Sequence, residues 1–284
     1  MKAMERAYTL GLYEKAMPSD LTWREKLLTA KEAGFDFVEI SIDETDAKLS
    51  RLDMTKEERL GLVRLMQETG VPIRTMCLSG HRKYPLGSSD PAVEARGIEI
   101  MEKAIRLAED LGIRIIQLAG YDVYYEESTF ETKKRFLANL KKAADMAAKA
   151  GVTMGFETME NEFMNTVEKA MKYVTLVGSP YLNVYPDIGN ITNAAKTYQN
   201  DVLEDLELGK GHIVAMHLKE TVPGKFREIP FGTGHVDFES AVTKAWELGV
   251  RKYVTEFWYT GNPGWKEDLT FANEMFTRIL NGRA

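Results

Sequence analysis

Short apolar strands alternate with amphipathic helices along the whole chain, and this alternation limits the fold more than any other feature. Eight segments are rich in β-branched and aromatic residues, which favour a pleated, half-buried surface. They are YTLGLYE (8–14), FDFVEISID (35–43), PIRTMCLSG (72–80), IRIIQLAG (113–120), VTMGFETM (152–159), LNVYPDIGN (182–190), IVAMHLKE (213–220) and KYVTEFWY (252–259). Strands that alternate with helices predict βαβ units and a parallel sheet.

The intervening segments have the spacing of helices with one apolar face. Apolar residues recur at helical intervals in WREKLLTAKEAGF, GIEIMEKAIRLAEDLGI, KRFLANLKKAADMAAKAGV and DFESAVTKAWELGV. Several of the segments close with a glycine just before the next strand, where a helix ends most easily because glycine accepts a positive φ. These glycines are Gly34, Gly70, Gly112, Gly151 and Gly249.

Eight such units are the number that a closed (β/α)8 barrel requires, and 284 residues suit one domain of that kind. We therefore predict an α/β fold with a single TIM-barrel domain over residues 1–284. The alternative is an open doubly wound sheet. It is less favoured because no G-x-G-x-x-G motif follows the first strand.

Composition excludes several classes of function. The net charge of −6 provides no basic field that would attract nucleic acid. The single cysteine, Cys77, allows no internal disulfide, which fits a reducing compartment. No segment resembles a signal peptide or reaches the roughly 20 apolar residues of a membrane span. We expect a cytoplasmic protein that binds neither nucleic acid nor a membrane.

Metal-ligand side chains follow four consecutive strands. In barrels of this kind the chemistry lies at the carboxyl ends of the strands. Glu157, Asp187, His217 and Glu256 lie near the ends of strands five to eight. Because neighbouring parallel strands are about 4.8 Å apart, these side chains can converge. Three carboxylates and one imidazole suit Mn²⁺, Mg²⁺ or Zn²⁺, so the sequence predicts one divalent metal ion at the barrel mouth.

Each of these residues has a simpler explanation when it is considered alone. A carboxylate near a strand end is often solvated, and His217 alone fits a hydrogen-bonded core histidine. Asp187 alone fits an Asx-turn ahead of Gly189. Glu256 is harder to explain, because a carboxylate inside an apolar strand requires a partner. The four together favour the metal site.

At these residues the sequence resembles a known family. The succession FETME, PDIGN, HLKE, PFGTGHVDF and TEFW resembles the L-ribulose-5-phosphate 3-epimerases, also called L-xylulose-5-phosphate 3-epimerases, of the xylose-isomerase-like TIM barrels. In the first half, LGLYEKAMP, GFDFVEISIDETDAKLSRLD, CLSGHRKYPLGS and IQLAGYDVYY resemble the same family. The resemblance spans nearly the whole chain. It implies a bacterial isomerase of L-ascorbate and related pentose catabolism.

The resemblance also implies roles for the four strand-end residues. Glu157, Asp187, His217 and Glu256 correspond to the family's metal ligands. Glu157 and Glu256 would also be catalytic, exchanging protons at C3 of a ketopentose 5-phosphate through an enediolate. Free keto-sugar 3-epimerases of the superfamily carry a substrate-binding histidine three residues after the aspartate. Here that position is Asn190, which favours a sugar phosphate as substrate.

Basic residues near the third and seventh strands are candidates for substrate binding. The loop SGHRKYPLGS places His81, Arg82 and Lys83 beside backbone donors that suit a phosphate, and we favour His81 and Arg82. Lys219, two residues after His217, is a candidate for polarising the enediolate oxygen. The plainer alternatives are a solvated basic loop and an ion pair between Lys219 and a carboxylate.

Other functions on the same barrel remain open. The nearest are an aldose–ketose isomerase and a free keto-sugar 3-epimerase. A non-catalytic sugar-binding barrel is a third possibility, although binding alone does not require two opposed glutamates. An endonuclease IV-like enzyme is disfavoured because the chain has only four histidines and is acidic. We expect a homodimer, because symmetric pairs are the commonest assemblies.

Overall fold

The eight predicted strands form one parallel sheet in the computed structural model, which describes residues 6–283. All eight strands lie within the segments that the sequence indicated. They are β1 (Thr9–Tyr13), β2 (Phe37–Ile42), β3 (Ile73–Leu78), β4 (Ile115–Ala119), β5 (Thr153–Glu157), β6 (Leu182–Val184), β7 (Met216–Leu218) and β8 (Lys252–Thr255).

Ten α-helices connect or flank these strands within the described residues. They are α1 (Trp23–Glu32), α2 (Asp46–Leu49), α3 (Lys56–Thr69), α4 (Pro91–Leu111), α5 (Phe130–Ala150), α6 (Val167–Val177), α7 (Ile188–Tyr198), α8 (Val202–Glu207), α9 (Phe238–Glu247) and α10 (Trp265–Asn281). The four helices predicted from apolar spacing are α1, α4, α5 and α9. Within residues 6–283, no helix has the length and apolar character needed to cross a bilayer.

The sheet closes on itself between β6 and β7. The strands are hydrogen-bonded in the order β6-β5-β4-β3-β2-β1-β8-β7, so β6 and β7 are the two ends. Parallel bridges join these ends at Val184–Ile213 and at Asp187–His217. His217 N also donates to Pro186 O at 2.9 Å. The predicted TIM barrel is confirmed, and two of the four candidate metal ligands lie at its closing seam.

Glycines end the helices as the sequence predicted. Gly70, Gly112 and Gly151 follow α3, α4 and α5 with φ of 75°, 72° and 66°. Gly34 and Gly249 also have a positive φ, at 88° and 89°. A residue with a Cβ is strained in this conformation, so glycine allows each chain segment to turn from its helix into the next strand.

Side chains alternate between the two faces of each strand, and β2 illustrates the pattern. Val38, Ile40 and Ile42 belong to the large apolar core, whereas Phe37 belongs to a separate, smaller buried cluster. Glu39, between Val38 and Ile40, is fully buried although it is charged. Because successive residues of a strand point to opposite faces, Glu39 lies on the same face as Phe37. The barrel interior beneath the predicted site therefore contains a buried carboxyl group.

Candidate active site

The structure brings the four predicted metal ligands together. Glu157 ends β5, His217 is in β7, and Asp187 and Glu256 follow β6 and β8. Each offers one ligand atom, and these atoms all lie within 4.8 Å of one another. All four side chains are buried. The cluster can therefore hold a metal ion, as the strand-end pattern predicted.

Asp187 has two roles, one for each carboxylate oxygen. It is the N-cap of α7, and its Oδ1 accepts a hydrogen bond from Asn190 N at 2.7 Å. Its Oδ2 points into the cluster, 2.9 Å from Lys219 Nζ. The simpler explanation of Asp187, a local turn, is therefore correct but incomplete. The helix cap uses only one carboxylate oxygen, and the other oxygen is a member of the cluster.

A buried carboxylate that the sequence analysis missed fixes the His217 ring. His217 Nε2 lies 2.6 Å from Glu39 Oε1, and Tyr185 OH donates to Glu39 Oε2 at 3.0 Å. Nε2 therefore donates a proton to Glu39, and Nδ1 is the nitrogen left for a metal. Burial would lower the pKa of His217, but Glu39 and Glu256 raise it well above its ordinary value, so in the absence of a metal the ring is protonated. A carboxylate behind a metal-binding histidine sets both its tautomer and its orientation.

The other ring nitrogen of His217 faces the remaining candidate ligands. Nδ1 lies 3.1 Å from Glu256 Oε2, 3.8 Å from Glu157 Oε1 and 3.9 Å from Asp187 Oδ2. Gln117 Nε2, from β4, lies 2.9 Å from the same nitrogen. Gln117, like Glu39, is a polar residue inside an apolar strand. The reasoning that identified Glu256 would have found both if it had been applied to every strand.

Lys219 is the fixed cation of the site. Its Nζ lies 2.9 Å from Asp187 Oδ2 and 3.4 Å from Glu256 Oε2. Burial alone would lower the pKa of Lys219, but the carboxylates of Asp187 and Glu256 raise it above its ordinary value. The ammonium group therefore stays charged. The ion pair between Lys219 and a carboxylate, which was the simpler alternative, is present. Lys219 also lines the cavity above the cluster, so the ion pair does not exclude a role in substrate binding.

The carboxylates of the cluster differ in their affinity for protons. Burial raises the pKa of Asp187 well above its ordinary value, and burial together with the charge of Glu256 raises that of Glu157. Burial would also raise the pKa of Glu256, but Lys219 and His217 hold it well below its ordinary value. Without further positive charge, the cluster must take up protons to offset its carboxylates.

The donor atoms fit a divalent cation. Three carboxylates face one ammonium group and one imidazole, so negative charge is in excess. Asp187 Oδ2 has its ion pair with Lys219 but accepts no hydrogen bond within the described chain. The lone pair of His217 Nδ1 faces carboxylate oxygens, which is unfavourable unless a cation or a proton lies between them. This mixture of oxygen and imidazole donors suits Mn²⁺, Mg²⁺ or Zn²⁺.

A cavity opens above the cluster at the carboxyl ends of the strands. It is lined by Glu157, Glu256 and Lys219, and also by two other predicted substrate-binding residues, Asn190 and Arg82. Asn190 Nδ2 donates to Thr158 O at 2.7 Å. Its buried Oδ1 has no hydrogen-bond partner in residues 6–283, so it is available to accept a hydrogen bond from a molecule in the cavity.

The structure places His81 away from the cavity in which a substrate-binding role was predicted for it. The ring is buried, its Nε2 lies 3.0 Å from Gly97 O of α4, and burial lowers the pKa of His81 to about 4. It is absent from the residues that line the cavity, whereas Arg82 is among them. The three residues Gly80–Arg82 form a 3₁₀ turn, in which successive side chains point about 120° apart. His81 is thus a neutral link to α4, and exposed Lys83 also lies outside the cavity.

The amino-acid sequence matches one protein family and several of its curated members. The model of the xylose isomerase-like TIM barrel family matches residues 27–275. L-ribulose-5-phosphate 3-epimerase UlaE of Salmonella paratyphi C is 50% identical over 256 residues, which cover 90% of this chain and 89% of that protein. The protein of the same name from Escherichia coli shows the same identity and coverage.

Solved structures share the fold at much lower sequence identity. A D-psicose 3-epimerase superposes with a TM-score of 0.80 at 16% identity, covering 96% of this chain and 99% of that one. An L-ribulose 3-epimerase superposes with a TM-score of 0.77 at 20% identity, covering 97% and 95%. These structures support the fold of the barrel.

We expect the cluster to bind a divalent ion that a chelator removes. Asp187→Ala and His217→Ala should each retain less than half of the wild-type metal after dialysis, because each variant loses one of four ligand atoms. Elemental analysis of the dialysed proteins measures this retention. Glu109→Ala, a change at an exposed carboxylate of α4, is the control. Equal retention by all four proteins would exclude a metal site at the cluster.

Glu39→Gln should weaken metal binding by about 10- to 100-fold, the range for loss of a group that orients a metal-binding histidine. The amide no longer offers two anionic oxygens to His217 Nε2 and the Tyr185 hydroxyl. Competition with a chromogenic chelator measures the affinity, and Glu109→Gln is the matched control. An unchanged affinity in Glu39→Gln would show that His217 needs no support from β2.

Proposed function

The chain belongs to the L-ribulose-5-phosphate 3-epimerase family of the xylose isomerase-like TIM barrels, and we propose that it inverts carbon 3 of a ketopentose 5-phosphate. The substrates would be L-ribulose 5-phosphate and L-xylulose 5-phosphate. One observation carries the proposal: Glu157 and Glu256 lie in the same cavity, each within the metal-ligand cluster.

Inversion at carbon 3 requires two proton transfers on opposite faces of the sugar. The hydrogen on carbon 3 is acidified by the ketone at carbon 2, and its removal leaves an enediolate. A proton must then return to carbon 3 from the other face. Two carboxyl groups that flank the carbon, one as base and one as acid, satisfy this requirement in both directions.

We assign the two proton transfers to Glu157 and Glu256. They belong to strands five and eight, which two other strands separate, so they can approach the sugar from different sides. Glu157, Asp187, His217 and Glu256 would hold the metal. A divalent ion held there supplies Lewis-acid stabilisation of the charge on the substrate oxygens.

Other cavity residues would orient the substrate. Lys219 keeps a positive charge beside the developing oxyanion, because two carboxylates hold it in the ammonium form. Asn190 Oδ1 accepts a hydrogen bond from a sugar hydroxyl. Arg82, at the cavity wall, offers guanidinium donors to the phosphate.

A phosphorylated substrate is favoured over a free sugar for two reasons. Asn190 stands where the free keto-sugar 3-epimerases carry a histidine. The curated relatives at 50% identity are named for a sugar phosphate. The alternatives are a free keto-sugar 3-epimerase, an aldose–ketose isomerase and a sugar-binding barrel without catalysis. A homodimer in the cytoplasm and a role in L-ascorbate catabolism also remain proposals.

Incubation in D₂O separates these alternatives. We expect the metal-loaded protein to convert L-ribulose 5-phosphate into L-xylulose 5-phosphate with deuterium at carbon 3, because the returning proton comes from solvent. Free L-ribulose should react with a kcat/KM at least about 100-fold lower, since it lacks the charge-assisted bonds to the phosphate. NMR measures both the product and the position of the label.

Two results of the D₂O experiment would reject the proposal. A binding protein leaves carbon 3 unlabelled and forms no epimer. An aldose–ketose isomerase instead yields an aldose and leaves carbon 3 unlabelled.

Replacement of either glutamate should separate proton exchange from inversion. Glu157→Gln and Glu256→Gln should each lose at least about 10²- to 10⁴-fold in epimerisation at saturating metal, because each removes one proton carrier. Each variant keeps one carboxylate and should still exchange deuterium into the epimer whose hydrogen faces it. The two variants should therefore label opposite epimers. Labelling of the same epimer by both would contradict the two-base assignment.

A further inference from the structure

A buried glutamate holds the long connection between β7 and α9, which we call the β7–α9 loop (residues 221–237). Glu220 is only 3% exposed, and both of its carboxyl oxygens accept hydrogen bonds from the loop backbone. Oε1 accepts from Thr221 N at 3.1 Å and from Val236 N at 3.2 Å, and Oε2 accepts from Gly232 N at 3.0 Å. One side chain therefore joins the start of the loop to its end.

The two ends of the loop are in direct contact around Glu220. His235 N donates to Thr221 O at 3.0 Å, and the Thr221 hydroxyl lies 3.0 Å from His235 Nε2. A Cβ on Gly234 would lie 2.1 Å from Thr221 O and 2.2 Å from Glu220 Oε1, so no side chain fits there. Ends this close are typical of an Ω-loop, whose path depends on the contacts at its base.

The middle of the loop lies at the cavity that contains the metal-ligand cluster. Phe226 and Arg227 line this cavity. On one side of them Gly224 N donates to Asn193 Oδ1 of α7 at 2.9 Å, and on the other side Phe231 is buried in the core. The six residues between these two points are exposed or only partly buried. Their position therefore depends on how the two limbs of the loop are held.

The backbone bends sharply just after the two cavity-lining residues. Glu228 has a φ of 58°, a left-handed conformation that costs free energy in any residue with a Cβ. Such a conformation persists only where the surrounding structure holds the chain on both sides. Gly224 is held on the amino side, and the hydrogen bond from Gly232 to Glu220 holds the carboxyl side. Loss of that bond would let Glu228 relax and displace the residues before it.

From these contacts we propose that Glu220 is a positioning residue, which holds the β7–α9 loop against the barrel and so keeps Phe226 and Arg227 at the cavity. Glu220 acts through the loop backbone, since it is absent from the cavity lining to which the adjacent Lys219 belongs. The inference rests on the proposed function for the identity of the substrate. A loosened loop lowers the fraction of molecules ready to bind substrate, which weakens the apparent affinity and leaves the metal ligands in place.

Hydrogen–deuterium exchange, read by mass spectrometry, tests whether Glu220 anchors the loop. In Glu220→Gln the side chain keeps its size, but its NH2 group faces backbone N–H donors, so at least one of the three hydrogen bonds is lost. We expect peptides from residues 221–237 to exchange at least about tenfold faster than in the wild type, the factor that one hydrogen bond to a charged group supplies. Peptides from α5 should keep the wild-type rate. Unchanged exchange in the loop would overturn the anchor.

Steady-state kinetics with L-ribulose 5-phosphate tests whether the anchor serves substrate binding. Glu220→Gln should raise KM about fivefold or more while kcat stays within about threefold, because a bound substrate selects the closed loop. Metal affinity, measured by competition with a chelator, should stay within about twofold, since no ligand of the cluster has changed. An unchanged KM would overturn the positioning role. Equal losses in kcat, substrate affinity and metal affinity would also overturn it, because they would show a general loss of structure.

Three further variants separate the anchor from loss of charge and loss of folding. Gly234→Ala keeps the carboxyl group but pushes the loop away from it, so it should reproduce the faster exchange and the raised KM. Glu228→Gln removes a charge from an exposed position of the same loop and should match the wild type in both measurements. Glu220→Asp, which is one methylene shorter, serves if Glu220→Gln unfolds at the assay temperature, and it should show an intermediate effect. A wild-type KM in Gly234→Ala, or a raised KM in Glu228→Gln, would overturn the assignment to the base of the loop.

The exchange measurement needs no turnover, so the two proposals fail separately. If the loop loosens in Glu220→Gln but the wild type never inverts carbon 3, the proposed function is wrong and the anchor stands. If the wild type epimerises L-ribulose 5-phosphate and Glu220→Gln keeps the wild-type KM, the positioning role is wrong and the function stands.

Discussion

Excess negative charge, buried at the mouth of a closed barrel, is the constraint on which the rest of the site depends. Glu157, Asp187 and Glu256 are taken out of water together and face one another across a few ångströms. Lys219 and His217 offset only part of their charge. A divalent cation held by this cluster would resolve the imbalance, and Glu157 and Glu256 are the carboxylates to which we assign proton transfer.

The closure of the barrel creates this arrangement. Asp187 and His217 pair across the seam between the two ends of the sheet, so neither reaches the cluster unless the seam closes. Beneath them, Glu39 and Tyr185 fix the ring of His217 from inside the barrel. The stability of the fold and the geometry of the site are therefore linked: a change that opens the seam would separate two ligands as well as two strands.

The wall of the cavity carries positive charge, whereas the cluster at its base carries an excess of negative charge. Arg82 and Arg227 present guanidinium groups that Glu160 satisfies only through long contacts. The cavity therefore has an excess of carboxylates at its base and two guanidinium groups at its wall.

The sequence by itself determined the features that depend on local chemistry. Apolar periodicity identified the strands, glycines that require a positive φ marked the helix ends, and ligand-type residues at strand ends identified the four members of the cluster. Barrel topology brings strand ends together whatever the details of packing, which is why that last step succeeded. The family resemblance added the chemistry of carbon 3 and the prediction of a phosphate.

Only the tertiary structure decided which side chains face one another from separate loops. His81 and Arg82 are adjacent in sequence, yet a 3₁₀ turn directs one to the carbonyl of Gly97 and the other to the cavity. Arg227 and Glu160 lie in loops whose paths are set by packing, and no short-range pattern relates them to Arg82. Contacts between residues far apart in the chain depend on how whole elements dock, so they appear only when the barrel is assembled.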